Sequence, residues 1–202
     1  MNNRLAIGTA VLLLTLPARA QGQEKTEKDE ISRTFTFTGT EKKRVVVDNI
    51  DGSIDVAGYD GNEVRLVVKK TIEAESNNKI QEAKEAVVLE IKEELNKVIL
   101  YVDAPWRTPN GINYRGFHYY GYRVRHDFQL LVPRKTSLYL RTVNEGTVRV
   151  HNVEGEFEVK NVNAGVELTN IAGLAQVATV NGPVKVSFSK NPEADCSFKT
   201  VN

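Results

Sequence analysis

Apolar and polar residues alternate over much of the chain, and the alternation stops at short, regular intervals. In the second half, apolar residues two positions apart recur as Val148/Val150, Phe157/Val159, Val166/Leu168 and Val184/Val186. Successive side chains of a strand point to opposite faces of a sheet, so this period of two predicts short strands with one buried face. Asparagine and glycine, which favour turns, separate the pairs. We therefore expect an all-β fold built from many short strands.

A longer repeat organises these strands. The asparagine of a Val-Asn pair recurs at Asn144, Asn163, Asn181 and Asn202, at spacings of 19, 18 and 21 residues. Two strands and two turns per repeat would form one coil, and such coils stack through hydrogen bonds into a β-solenoid. Asn144, Asn163 and Asn181 would then lie above one another as a ladder at one corner. A meander sandwich with regular hairpins fits the same strand spacing and is the alternative.

The first half of the chain also alternates between apolar and polar residues. Residues 34–38 (TFTFT), a glycine and a charged turn precede a second apolar run at 44–47, which is typical of a hairpin. Turn sequences at 49–52 and 59–62 predict that further strands follow them. We therefore expect an N-terminal hairpin region ahead of the repeats.

One segment has helical spacing. Ser76 is a candidate N-cap, and apolar residues recur at helical intervals from there to about Ala86. We expect strands over 87–91 and 98–102 after this short helix. A helix that continues as far as Leu95 is the alternative, because Leu95 fits the same period.

Residues 1–20 have the pattern of a signal peptide, with one early arginine, an apolar run at 5–16 and the sequence P-A-R-A at the end. About twelve apolar residues are too few to span a bilayer, which takes roughly 20, although a transmembrane or buried helix is the alternative. The segment 21–31 is polar and charged, which predicts a disordered leader. We expect an exported protein, periplasmic, cell-surface or secreted, with one β-solenoid domain over 32–202.

Two sequence features carry a family resemblance. The T-V-N-x-G and x-V-x-G alternation, and the opening VVVDNIDGSIDVAGYDGNEVRLVVKK with the short helix after it, resemble the DUF4097 family of bacterial candidate adhesins. The likeness covers roughly 34–202. It implies a right-handed parallel β-helix at the envelope or surface, with no catalytic residues to carry over. Members of that family usually continue past such a T-V-N, so the resemblance also implies a C-terminus truncated in mid-motif at Asn202.

Composition narrows the possible functions. The chain has 27 Lys+Arg and 26 Asp+Glu, a net charge of +1, and therefore lacks the basic excess typical of nucleic-acid binding. One cysteine forms no disulfide within the chain, and three histidines without ligand spacing do not predict a zinc site. Four aspartates at 48–60 lack the spacing of a calcium loop and are interpreted as turn formers. Nucleophile-elbow and phosphate-loop motifs are missing, so no cofactor or metal is expected.

One segment, residues 105–125 (PWRTPNGINYRGFHYYGYRVR), breaks the strand pattern. It carries six of the 15 aromatic residues and four arginines with no acidic residue. Aromatic rings interleaved with arginines can stack on sugars or anchor a partner protein. The candidate contact residues are Trp106, Arg107, Tyr114, Arg115, Phe117, His118, Tyr119, Tyr120, Tyr122 and Arg123. The other interpretation is that these rings pack over an open end of the β-helix and hide its edge.

Three functional hypotheses follow from these patterns. The favoured one is a non-catalytic exported protein, with an adhesive or structural role and a glycan or an envelope protein as its partner. The alternative is an exported polysaccharide-active enzyme with Arg115, His118 and Arg123 around a groove. A periplasmic signalling accessory protein is the third. None of them involves nucleic acid or a membrane span after removal of the signal peptide.

Overall fold

A computed structural model describes residues 24–39, 41–109 and 111–201. The predicted signal peptide (1–20) and the predicted end of the chain at Asn202 lie outside the described residues. Within the described part of the chain, no helix is long and apolar enough to cross a membrane.

The described chain consists mostly of strands, as the alternation predicts. The elements of the first half are β1 (Lys25–Thr36), β2 (Arg44–Asp48), β3 (Ile54–Tyr59), β4 (Glu63–Ala74), α1 (Asn77–Ala86), β5 (Val88–Glu94), β6 (Lys97–Asp103), β7 (Arg107–Thr108), β8 (Gly111–Ile112) and α2 (Phe117–Tyr120). Those of the second half are β9 (Tyr122–Pro133), β10 (Ser137–Thr142), β11 (Val148–His151), β12 (Phe157–Asn161), β13 (Val166–Ile171), β14 (Ala175–Thr179), β15 (Val184–Phe188) and β16 (Ser197–Thr200).

The strands form two seven-stranded sheets. The first sheet has the order β1-β4-β9-β3-β11-β13-β15, and the second has the order β16-β14-β12-β10-β2-β6-β5. From β10 to β16 the chain alternates between the two sheets, and each of these strands pairs in parallel with its neighbours. Each repeat therefore supplies one strand to each sheet, and the apolar side chains of both sheets meet between them. The alternation places Val150, Val159 and Leu168 in this core.

The sheets are mixed, so a parallel β-helix over all of 32–202 is not confirmed. β4 pairs antiparallel with both β1 and β9, and β5 pairs antiparallel with β6. The short turn after Tyr59 reverses the chain, so β4 runs opposite to β3 and therefore also opposite to β9, which pairs in parallel with β3. The coils also do not stack in sequence order, because β2 and β3 lie between the β6–β9 strands and the β10–β11 strands.

The predicted N-terminal hairpin is wrong. β1 lies in the first sheet against β4, with Phe35 opposite Val64, while β2 lies in the second sheet between β6 and β10. The turn after β1 therefore crosses from one sheet to the other instead of joining two paired strands. Residues 25–31, expected within a disordered leader, form the first part of β1. Their polar sequence reflects an edge strand that is largely exposed on both faces.

The predicted helix is confirmed. α1 begins after Ser76, whose Oγ accepts a hydrogen bond from the backbone N–H of Lys79 at 3.3 Å. Ile80 and Ala83 are buried where α1 packs against β4 and β9. The helix ends before β5, so the alternative of a helix running to Leu95 is wrong.

Candidate functional site

The aromatic segment lies on the side of the molecule where the chain passes from the second sheet to the first. It connects β6 to β9, and the turns after β2, β10, β12 and β14 make the same passage. Asn144, Asn163 and Asn181 stand in three of these turns. We call this side, formed by the turns and residues 104–121, the corner face.

The predicted asparagine ladder is present on the corner face. The side-chain amide of Asn181 donates to Oδ1 of Asn163 at 3.0 Å, and Asn163 donates to Oδ1 of Asn144 at 3.4 Å. Each side-chain amide donates in the direction of Asn144, so the ladder ends at this residue. The side-chain NH2 group of Asn144 has no acceptor among the described residues. A second ladder, which the repeat analysis missed, joins Asn170 to Asn152 at 2.6 Å on the opposite side.

The base of the aromatic segment belongs to the hydrophobic core. Trp106 is 4% exposed and Tyr122 is 1% exposed. The Trp106 ring lies 4.9 Å from that of Tyr114 and 4.8 Å from that of Tyr120, and these two tyrosines stack at 5.5 Å. Such offset aromatic contacts stabilise the segment beyond simple burial of its surface. This is packing on the core beside β6 and β9, which are interior strands of their sheets, and not the cover over an open end of the β-helix that the second interpretation expected.

Arg107 fixes the segment to β2. Its Nη2 donates to the backbone oxygen of Asp48 at 2.9 Å and to Oδ1 of the same residue at 3.0 Å. The guanidinium also lies 4.2 Å from the centre of the Tyr101 ring. Because its side chain is only 10% exposed, Arg107 anchors the segment and has little surface to offer a partner.

Arg123 joins two carboxylates from different turns. It forms a bidentate ion pair with Asp51, at 2.7 and 3.0 Å, and its Nη2 also contacts Glu145 at 2.7 Å. Burial raises the pKa of Asp51, although Arg123 opposes that shift. The hydrogen bond from Arg123 lowers the pKa of the more exposed Glu145. Glu145 has a φ of 33°, a left-handed conformation that costs energy for any residue other than glycine.

The tip of the segment remains exposed. The helical turn α2 stands between Gly116, with a φ of 93°, and Gly121, with a φ of 73°. Tyr119 on this turn is 61% exposed, and the Arg115 guanidinium lies 5.0 Å from the centre of its ring. His118 is also exposed. We call Arg115, His118 and Tyr119 the loop tip.

A groove separates the aromatic segment from the asparagine ladder. It has a volume of about 470 Å³ and is lined by Asp51, Tyr114, Phe117, Arg123, Asn144, Glu145 and Asn163. Sequence reasoning identified Tyr114, Phe117 and Arg123 as contact candidates and missed Asp51 and Glu145 as parts of a site. No local motif could have revealed them, because Asp51 meets Asn144 only through the stacking of two distant coils.

The ten predicted contact residues therefore divide by position. Those that build the base and face inward are Trp106, Arg107, Tyr120 and Tyr122. Those at the groove are Tyr114, Phe117 and Arg123, and those at the loop tip are Arg115, His118 and Tyr119. Among the described residues, no group of three or more His, Cys, Asp or Glu side chains could hold a metal ion.

Comparisons with known proteins give only distant likenesses. No protein-family profile and no curated protein matches the chain. Matching solved structures include a candidate cell adhesion protein from Clostridium sporogenes, with a TM-score of 0.38, 11% identity, and coverage of 87% of this chain and 99% of that one. A candidate adhesin from Bacteroides fragilis has a TM-score of 0.29 and 12% identity, with coverage of 86% and 94%. A candidate adhesin from Parabacteroides merdae has a TM-score of 0.27 and 8% identity, with coverage of 89% and 95%. These TM-scores carry no argument about function, and the resemblance to the DUF4097 family is not confirmed.

Proposed function

We propose that this chain is a non-catalytic binding protein that is exported to the cell envelope or surface and contacts its partner, a glycan or an envelope protein, through the corner face. In this proposal the repeated coils are a right-handed parallel β-helix of the DUF4097 type, which serves as a rigid support. Residues 1–20 supply the export signal, as their sequence predicts.

One observation carries the proposal: an aromatic segment with a fixed base has an exposed tip. Trp106 and Arg107 hold the base in place, while Tyr119 is 61% exposed beside Arg115. Exposed aromatic and arginine side chains on a preorganised support are typical of contact surfaces, because little conformational entropy is lost on binding.

The loop tip is tested by a double substitution. We expect Arg115→Ser with Tyr119→Ala to reduce binding of the full chain to cells or envelope extracts at least about tenfold, a loss of about 1.4 kcal/mol. The matched control is Arg44→Ser with Tyr139→Ala, since this pair has a similar arginine–ring contact of 4.7 Å on the outer face of the second sheet. Binding should be measured by pull-down and thermal stability by circular dichroism.

The comparison of the loop-tip variant with the control variant decides whether the loop tip contacts the partner. Unchanged binding by the loop-tip variant, with normal stability, would show that the exposed tip, on which the proposal rests, is not the contact surface. Capture of one envelope protein by the parent chain and not by the loop-tip variant would favour a signalling accessory over an adhesin.

The second candidate function is an exported polysaccharide-active enzyme. The observation that favours it is the pair Asp51 and Glu145, whose pKa values shift in opposite directions around one guanidinium at the groove. Carboxyl groups with separated pKa values can act as acid and base at a glycosidic bond. Release of reducing ends or unsaturated products from a polysaccharide panel, abolished by Asp51→Asn, would establish this activity and refute the non-catalytic proposal.

A further inference from the structure

We propose that the groove between the aromatic segment and the asparagine ladder binds a neutral, pyranose-containing glycan. The inference rests on the proposed binding function and adds the chemical class of the ligand. It concerns the groove and its seven lining residues, which are distinct from the loop tip.

The first argument is the shape and one apolar wall of the groove. Its volume of about 470 Å³ falls within the usual range for small-ligand sites, about 300–1,000 Å³. Tyr114 and Phe117 supply aromatic rings on one side. The Tyr114 ring is fixed, because its hydroxyl donates to the backbone oxygen of Tyr122 at 3.2 Å and its face stacks on Tyr120. A fixed ring is a suitable platform for the apolar C–H face of a pyranose.

The second argument is the set of polar groups on the opposite side. The Asn144 amide is the last member of a ladder whose donors all run towards it, and it has no acceptor among the described residues. Glu145 uses one carboxylate oxygen for Arg123, and its side chain is 63% exposed. A donor and an acceptor thus lie in adjacent residues, opposite an aromatic wall. Sugar hydroxyls, which both donate and accept, fit such an arrangement.

The third argument is the charge of the groove. Asp51 and Glu145 are balanced by the single guanidinium of Arg123, so the lining carries one net negative charge. A phosphate, sulfate or uronate would meet two carboxylates and would gain only a guanidinium that is already paired. The charge therefore selects neutral sugars over anionic ones.

The test uses Trp106, the only tryptophan in the chain, as a reporter. Its ring lies 4.9 Å from Tyr114, which lines the groove. The full chain should be titrated with neutral hexose and N-acetylhexosamine tetrasaccharides, and separately with uronate and sulfated tetrasaccharides of equal length. We expect a saturable change in Trp106 emission with at least one neutral sugar at a Kd of about 1 mM or tighter, and no saturation with the anionic sugars.

Two pairs of variants locate the site. Asn144→Ala and Phe117→Ala, which alter the groove, should each weaken neutral-sugar binding at least about tenfold. Asn181→Ala changes the same ladder outside the groove, and Tyr139→Ala changes a ring on the outer face of the second sheet, so both should retain parental affinity. If Phe117→Ala lowers the thermal stability, the comparison of Asn144→Ala with Asn181→Ala still decides the result.

The outcomes separate this inference from the proposed function. Absence of binding to every neutral sugar at 10-fold the expected Kd, or equal binding by the two asparagine variants, would overturn the glycan assignment. Stronger binding of the anionic sugars would overturn it as well. Loss of cell binding in the loop-tip variant alongside such a result would leave the proposed function standing, because those measurements depend on different residues.

Discussion

His126 is a buried histidine without a hydrogen-bond partner. It is 1% exposed, and neither ring nitrogen has a partner among the described residues. Burial, together with the neighbouring Lys70 ammonium, lowers the pKa of His126 to about 3. The imidazole is therefore neutral in the folded protein at any physiological pH, and its protonation opposes folding.

The pH dependence of stability follows from this residue. The pKa of this histidine is near 6.5 in the unfolded chain. Below that pH the unfolded chain therefore binds a proton that the folded chain does not bind. Full stability is present above about pH 6.5 and decreases as the pH falls towards 3, with a loss of about 2 kcal/mol at pH 5. His126→Leu should remove this part of the loss. The measurement is urea unfolding of both proteins at pH 7 and pH 5.

The matched control is His118→Leu, which changes an exposed histidine of the loop tip in the same way. It should retain the parental loss of stability between the two pH values. An identical pH dependence in the parent and in His126→Leu would rule out His126 as the cause.

A column of buried polar residues stabilises the corner face from inside. Thr142, Asn161 and Thr179 occupy equivalent register positions in consecutive strands of the second sheet. Each donates to a carbonyl of a nearby turn: Thr142 to Gly52 at 3.0 Å, Asn161 to Gly146 at 3.0 Å and Thr179 to Ala164 at 2.9 Å. Buried carbonyls need such partners, so these residues replace apolar side chains at the ends of the strands.

At the scale of the element, the turns of successive coils approach each other very closely. Gly146 has a φ of 120°, and a Cβ added to it would lie 2.2 Å from the carbonyl carbon of Gly52 in the neighbouring turn. Gly111 has a similar φ of 130°, but among the described residues a Cβ there would meet no atom within 4 Å. A substitution of Gly111 therefore measures backbone strain alone, whereas a substitution of Gly146 measures backbone strain together with the contact between coils.

Substitution of these glycines measures the two effects. Gly111→Ala should lower the free energy of unfolding by about 1–2 kcal/mol, from the left-handed backbone alone. Gly146→Ala should cost at least about 2 kcal/mol more, because the coils must move apart. Urea unfolding of the two variants checks the difference. Equal losses would mean that the turns can separate without cost.

The outer face of the first sheet carries an alternating row of charges. Asp55, Arg149, Glu167 and Lys185 stand opposite one another in four consecutive strands. Arg149 lies 3.3 Å from Asp55, although both side chains are partly exposed. Opposite charges on neighbouring strands favour one register, and a strand that slipped by one residue would turn its charged side chain towards the core. The row therefore contributes more to register than to stability.

At the scale of the whole molecule, the predictability of each part depends on how local its contacts are. The repeats predicted the strands and the ladder from Asn144 to Asn181, because neighbouring coils are adjacent in sequence. The pairing of β1 with β4 was not predictable from the hairpin pattern, because residues 25–30 of β1 are polar and charged and show no alternation with apolar residues. The groove combines Asp51 with Glu145, and this pairing depends on a stacking order that the sequence does not show.

The same stacking order predicts the sequence of folding events. Asn163 bonds to Asn144 across 19 residues, whereas Arg149 meets Asp55 across 94 residues. Because closing a longer loop costs more entropy, we expect β12 and β14 to gain protection before β3. Pulse-labelled hydrogen exchange during refolding measures this directly. Simultaneous protection of all three strands would contradict the prediction.

The position of β2 and β3 between later strands also has a consequence during synthesis. A ribosome makes β3 first, and its partner strand β11 follows 94 residues later, as the Asp55–Arg149 pair shows. At about 5–20 residues per second, this delay is roughly 5 to 20 s. During that time β2 and β3 each have an unpaired edge, because β10 and β11 have not yet been made. Unpaired strand edges favour aggregation. Such a chain benefits from being kept unfolded by chaperones until it is complete, which is also the form in which a polypeptide can be threaded through a membrane channel.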